Sequence, residues 1–267
     1  MGLALGGQRA LVTGASAGLG RAIATSLDAR GATVLASARR GDLLEQLRAE
    51  LGPRSEALPA DLLDRAAVAE LPERAGRVDV LVANAGLPGT GALEDFSPEQ
   101  VDRVLEVNLR APLQLARALM PAMVARGSGH LVFVSSLSGK IVSPASALYS
   151  ASKFGIRGLA LALREDLADT GVGVTCVYPG FIRDAGMFHD SGTKLPRWVG
   201  MRTPADVGEA VADGIERDRL EVDVAPLALR LAAKLGGLAP RPVGAIQRRL
   251  GGADVARSMA SGQARKR

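Results

Sequence analysis

Tyr149 and Lys153 stand four residues apart in the run Tyr149-Ser150-Ala151-Ser152-Lys153. On a helix that spacing puts both side chains on one face. A phenol with a solution pKa of about 10 is a poor proton donor or acceptor at neutral pH. An ammonium beside it stabilises the phenolate and draws the pKa toward the working range, so the pair suits general acid–base chemistry. Thirteen residues upstream, Ser136 follows the apolar run Leu131–Ser135. A hydroxyl there either polarises a substrate oxygen or closes a turn at a strand end.

A second constellation is Thr13-Gly14-Ala15-Ser16-Ala17-Gly18-Leu19-Gly20, which follows an apolar run and opens a helical pattern over Leu19–Arg30. Glycines allow a tight turn and let backbone N–H groups approach a phosphate, while the helix dipole favours the anion. In a strand–turn–helix context this spacing points to a dinucleotide. An acid about 20 residues further on would bind a ribose 2′-hydroxyl. Here the positions are Arg39 and Arg40, and no acid follows until Asp42. Two guanidiniums suit a 2′-phosphate through charge-assisted hydrogen bonds, so NADP(H) is expected over NAD(H), which stays open.

The elements that must position these residues are short apolar runs alternating with helical stretches. The runs are Arg9–Thr13, Thr33–Ser37, Glu56–Ala60, Val80–Ala83, His130–Ser135, Val172–Val177 and Glu221–Ala225. Most are continuously apolar, as in strands covered on both faces. The expected fold class is α/β, a doubly wound Rossmann-type parallel sheet of about seven strands with helices on both faces. Ser97-Pro98-Glu99-Gln100 and Thr203-Pro204-Ala205-Asp206 read as helix starts. Pro112 should break or kink its helix near Asn108. Gly171 is placed to end the helix that begins near Tyr149. Arg183–Arg202, with Met187, Phe188, His189 and Trp198, is the longest aperiodic stretch and suggests a loop over a bulky apolar substrate.

The chain has 267 residues, 47% of them hydrophobic and 3% aromatic, which is the globular range. Its single cysteine, Cys176, excludes a disulfide framework and a multi-thiolate metal site. It reads as inert core, and His130 as structural. The net charge is +5, but residues 226–267 carry +8, leaving −3 on residues 1–225. A mildly acidic body argues against nucleic acid as a partner. The expected division is a nucleotide-binding and catalytic domain over 1–225 and a basic, partly helical extension over 226–267. Leu227, Leu229, Leu231 and Leu235 interleave with Arg230 and Lys234, a pattern that permits weak contact with a membrane surface or packing on protein. No 18-residue apolar span and no basic, apolar leader is seen, so a cytoplasmic protein is expected.

Together these motifs resemble the short-chain dehydrogenase/reductase family, in its compact single-domain branch, over about residues 7–225. The glycine run is similar to the family's cofactor turn. Asp61-Leu62 sits where the family contacts adenine, and Asn84-Ala85-Gly86 matches its Asn-Ala-Gly motif. Asn108, Ser136, Tyr149 and Lys153 match its catalytic tetrad. Pro179-Gly180 matches the Pro-Gly after the sixth strand, and Ile182 resembles the residue that packs on the nicotinamide. One departure is Asp184, where the family often carries a hydroxyl residue on the carboxamide. A second is the last strand, which lacks the family's Gly-rich ending and runs into the basic tail, so the resemblance does not carry tetramer assembly with it.

The resemblance implies hydride transfer between NADP(H) and a hydrophobic ketone or secondary alcohol, as in a carbonyl reductase or alcohol dehydrogenase. It gives Tyr149 the acid–base role, has Lys153 hold the nicotinamide ribose, and has Asn108 anchor a water beside Lys153. A small-molecule substrate and a homo-oligomer, dimer or tetramer, are expected. A non-catalytic nucleotide sensor on the same fold and an NAD-preferring dehydrogenase are the alternatives.

Overall fold

The structure is a computed structural model that describes residues 2–195, 199–238, 242, 245 and 252–263. Seven strands form one parallel sheet in the order β3-β2-β1-β4-β5-β6-β7. They are β1 Arg9–Thr13, β2 Thr33–Ala38, β3 Glu56–Pro59, β4 Val80–Ala83, β5 Gly129–Val134, β6 Val172–Pro179 and β7 Glu221–Val224. Every apolar run read from the sequence is a strand, two with the same ends and the others with ends shifted by one or two residues. The chain winds outward from β1 to β3, then returns to lay β4 on the other side of β1. The reversal opens a crevice past the carboxyl ends of β1 and β4, the usual ligand site of such sheets.

Side chains alternate across the sheet, and both faces are covered. Leu11, Leu35, Leu81, Leu131 and Phe133 join one buried cluster, together with residues of α3 Arg65–Ala75, α5 Ala111–Arg126 and α6 Ala147–Asp166. Val12, Val34, Val82, Val132 and Val177 join the other, with α1 Gly18–Ala29, α2 Gly41–Glu50 and α8 Pro204–Glu216. Small residues let α1 and α8 approach closely: a methyl group on Gly208 would stand 2.7 Å from the Ala22 carbonyl oxygen. Ser97 and Thr203 each form a capping box, with Gln100 and Asp206.

Pro112 does not end its helix. α4 Pro98–Leu105 runs through a π-helical turn, Glu106–Arg110, into α5. A proline cannot donate to the carbonyl four residues back, here Asn108, and a widened turn accommodates the missing bond. Gly171 does not end α6 either, since the helix stops at Asp166. Gly171 has φ +79°, and a methyl group there would lie 2.1 Å from the Gly127 carbonyl oxygen. Its role is to let the chain pass close to Gly127 before entering β6.

Among the described residues, further helices are α7 Met187–Asp190, α9 Leu227–Leu238 and α10 Gly252–Gln263. Ala233 of α9 is buried, while Leu227, Leu231 and Leu235 are 66%, 51% and 58% exposed. Among the described residues no helix is long and apolar enough to cross a membrane.

Candidate active site

The glycine run forms the turn between β1 and α1. Gly14 and Gly18 have φ +69° and +59°, which side chains disfavour. A methyl group on Gly20 would fall 2.1 Å from the Gly14 carbonyl oxygen, so only glycine fits. Leu19 lies in the first turn of α1. The helix is capped by Ala17, which offers no side-chain acceptor. Its first-turn N–H groups are therefore suited to an anion. Nearby, Arg40 Nη2 stands 3.5 Å from Ser16 Oγ, and both Arg39 and Arg40 are exposed. Ser37, whose carbonyl accepts from Ala15 N, has a buried hydroxyl without a hydrogen-bond partner among the described residues. An uncapped helix, a cation-and-hydroxyl corner and an orphaned hydroxyl together fit a phosphorylated dinucleotide.

The opposite wall is stitched to β1. Thr13 Oγ1 accepts from the N–H groups of Asn84 (3.0 Å) and Ala85 (3.1 Å), and Asn84 Nδ2 donates to Thr13 O at 2.9 Å. Asp61 follows β3 and accepts from Leu63 N, leaving Leu62 buried beside it. A methyl group on Gly86 would lie 3.3 Å from Met187 Cε, 3.4 Å from Asn108 Oδ1 and 3.7 Å from Lys153 Nζ. The Asn-Ala-Gly segment therefore meets Asn108 and Lys153 directly.

Asn108 lies in the π turn and is 1% exposed. Its Oδ1 accepts from Leu87 N at 2.6 Å. Its Nδ2 donates to Leu87 O at 3.0 Å and to Ser152 Oγ at 3.2 Å. The side chain is thus occupied in clamping the loop after β4 onto α6. Lys153 is buried and donates from Nζ to the Val134 carbonyl at 2.9 Å. Its Nζ stands 5.7 Å from the Tyr149 ring centre. Ser136 caps a short 3-10 turn, accepting from Ser138 N at 3.1 Å, and its hydroxyl lies close enough to the Tyr149 hydroxyl to favour the phenolate.

Burial dominates both titrating groups. It pushes the Tyr149 phenol up to about 12, opposed by the Ser136 hydroxyl. It pulls the Lys153 amine down to about 8. Proximity to the amine alone does not bring the phenol into the working range here, contrary to the expectation from spacing. The spacing says nothing of how dry the site is. Cys176 is buried and its thiol is pushed up to about 12, the state of an inert core residue.

Pro179 closes β6, and Gly180 N donates to Val224 O at 3.0 Å. Ile182 is buried and bridges Arg202, pinching the base of the 183–202 loop. Phe181 and Phe188 meet edge to face at 5.0 Å. Asp184 is exposed with φ +69° and pairs with Arg183 at 3.3 Å. His189 is exposed, and Trp198 lies outside the described residues. A cleft of about 440 Å³ opens beside the first turn of α6, lined by Gly91, Leu93, Val142, Ala145, Ala147 and the serines 143, 146 and 150. Sequence reasoning missed Gln263 of α10, whose Nε2 donates to Met187 O at 3.1 Å. A lone amide in a basic tail carries no signal of that contact.

Fold and site define a doubly wound α/β protein with a phosphate-suited turn at its switch point and a Tyr–Lys–Ser–Asn group beside it. A family model described as short chain dehydrogenase matches residues 8–195. The chain belongs to this family of oxidoreductases. It is 33% identical over 262 residues to "Ketoacyl reductase HetN" of Nostoc sp. (strain PCC 7120), covering 94% of this chain and 91% of that protein. Among solved structures, a short-chain dehydrogenase from Burkholderia cenocepacia J2315 in complex with NADP is 30% identical. Its TM-score is 0.77, over 93% of this chain and 99% of that one. A short-chain dehydrogenase from Sphingobium yanoikuyae in complex with NADPH is 28% identical with a TM-score of 0.76, over 88% and 94%.

Proposed function

We propose that the chain is an NADP(H)-dependent carbonyl reductase or alcohol dehydrogenase acting on a hydrophobic ketone or secondary alcohol. The observation that carries this reading is the meeting of Asn108 and Lys153 at Gly86, with Tyr149 one helical turn from Lys153 on α6 and beside Ser136. The NADP-bound and NADPH-bound relatives, with Arg39 and Arg40 at the end of β2, support the phosphorylated cofactor.

When bound, the dinucleotide supplies or accepts the hydride. Gly14, Ser16, Gly18, Leu19 and Gly20 would hold its pyrophosphate, and Arg39 and Arg40 its 2′-phosphate. Asp61 and Leu62 would flank the adenine. Asn84, Ala85 and Gly86 would line the far wall, and Pro179, Gly180 and Ile182 would back the nicotinamide. Tyr149 gives its hydroxyl proton to the carbonyl oxygen in reduction and takes it back in oxidation. Ser136 orients that oxygen from its place beside the Tyr149 hydroxyl. Lys153 would hold the ribose. Asn108 acts by positioning: its side chain is committed to Leu87 and Ser152. The apolar cleft beside α6 and the Met187, Phe181 and Phe188 side chains support a bulky apolar substrate.

Oxidation of NADPH, followed with a panel of ketones, aldehydes and quinones, tests the assignment. Turnover of at least one class is expected. NADPH binding with no turnover of any class would favour a nucleotide sensor.

The outward leucines of α9 support a second, surface role. Leu227, Leu231 and Leu235 face away from the body, and Arg230 and Lys234 flank them, which fits weak contact with anionic lipid. Leu231→Glu should lower co-sedimentation with anionic vesicles. Unchanged sedimentation, with a monomer replacing an oligomer, would assign that face to a second copy instead.

A further inference from the structure

The 183–193 segment crosses the crevice. A methyl group on Gly18 would stand 3.6 Å from Gly186 N, and one on Gly186 would stand 3.9 Å from Leu19 Cγ. Met187 Cε reaches the Gly86 position beside Lys153. This segment therefore spans from the phosphate turn to the catalytic group. Its own ties to the sheet are at its base, where Ile182 bridges Arg202.

The outer side of the segment is held by α10. Gln263 Nε2 donates to the Met187 carbonyl at 3.1 Å. Ser258 Oγ and Thr193 Oγ1 share a hydrogen bond at 3.1 Å. Gly262 lies so close to Ser191 that a methyl group would fall 2.1 Å from its carbonyl oxygen. Gln263 is 3% exposed, and its Oε1 has no partner among the described residues. Burying half of a carboxamide unsatisfied works against stability. The group is placed where it costs folding free energy and holds one backbone carbonyl of the loop.

We infer that α10 is a strap on the cofactor-covering loop and that Gln263 is a positioning residue, fixing Met187 over the dinucleotide crevice. The inference rests on the reading of that crevice as a cofactor site. Release of the nucleotide requires the 183–193 segment to lift, and lifting requires the Gln263 and Ser258 contacts to break. Nothing in the basic charge of the tail is needed for this role.

The test uses the full chain and two variants. Gln263→Met keeps the volume, removes the donor and also removes the unsatisfied oxygen. Ser258→Ala removes the hydroxyl that faces Thr193. NADPH dissociation is followed by nucleotide fluorescence, with no carbonyl substrate present. Tryptic cleavage after Lys194 is followed in nucleotide-free protein. Gln263→Met should speed NADPH release by about fivefold, the factor that one hydrogen bond of ordinary net strength carries. Its KM for NADPH should rise by a similar factor with kcat unchanged or higher, and its melting temperature should be equal or higher. Ser258→Ala should act in the same direction. Cleavage after Lys194 should quicken in both. A purely structural role predicts the reverse pattern, with melting temperature and kcat falling together. Unchanged release and unchanged cleavage would overturn the strap. Failure of the unmodified chain to bind NADPH would overturn the cofactor reading, and the cleavage comparison would still decide whether α10 holds the loop.

Discussion

His130 is the second residue of β5 and is 1% exposed. Its Nε2 lies 2.8 Å from Thr175 Oγ1, and Thr175 spends its own hydroxyl proton on the Arg219 carbonyl at 2.7 Å. Nε2 then carries the proton of a neutral imidazole. Burial pulls its pKa from 6.5 down to about 4. Between those values the unfolded chain binds a proton that the folded chain rejects. Stability therefore falls as pH falls from 6.5 toward 4. The full effect is about 3 kcal/mol, of which about 2 kcal/mol is gone by pH 5, at 1.36 kcal/mol per pH unit. Urea unfolding of the native chain and of His130→Gln, measured from pH 7.5 to 4.5, isolates this contribution. Carboxylates titrate in both proteins and cancel in the difference. The native chain should lose about 2 kcal/mol more than the variant by pH 5. Equal slopes would mean that the imidazole is solvated or protonated in the fold, and the assignment would be wrong.

Other outcomes follow from the cofactor turn and its neighbours. Arg39→Asp together with Arg40→Ala should move the ratio of kcat/KM for NADPH over NADH toward NADH by tenfold or more, since hydrogen bonds to charged groups are worth roughly 1.5–3 kcal/mol. Steady-state kinetics with both nucleotides checks it, and an unmoved ratio removes the arginines from the 2′-phosphate. Gly20→Ala should abolish nucleotide binding in a fluorescence titration, because the added methyl group meets the Gly14 carbonyl and Asn84 Nδ2. Asp223→Asn should cost roughly 1.5–3 kcal/mol in urea unfolding, because the buried Lys140 amine loses its carboxylate at 2.7 Å and keeps only Glu221 at 3.5 Å.

What the sequence made legible is what depends on neighbours in the chain. The five inner runs became strands because continuous apolarity marks a strand buried on both faces, while the edge strands β3 and β7 carry Glu56, Glu221 and Asp223. The glycine turn was legible because Gly14, Gly18 and Gly20 answer to local φ and close approach. The capping boxes at Ser97 and Thr203 are equally local. Less legible was anything fixed across long separations. Asn108 was found by type, but its bonds to Leu87 and Ser152 depend on how α6 packs against the π turn. The dryness around Tyr149 and Lys153, which sets both pKa values, follows from the whole fold. The ion pair of Lys140 with Asp223 joins residues 83 apart, and Gln263 meets Met187 from 76 residues away. No periodicity encodes either contact.

The account turns on the Tyr149 hydroxyl as the proton donor beside a bound nicotinamide. Tyr149→Phe keeps the ring and removes that oxygen. The most direct measurement pairs a fluorescence titration of the variant with NADPH and its turnover of the best carbonyl found in the panel. The account predicts binding within about threefold of the unmodified chain and turnover lower by about 10²–10⁴-fold, the span of general acid catalysis. Turnover within a few-fold of the unmodified chain would contradict it.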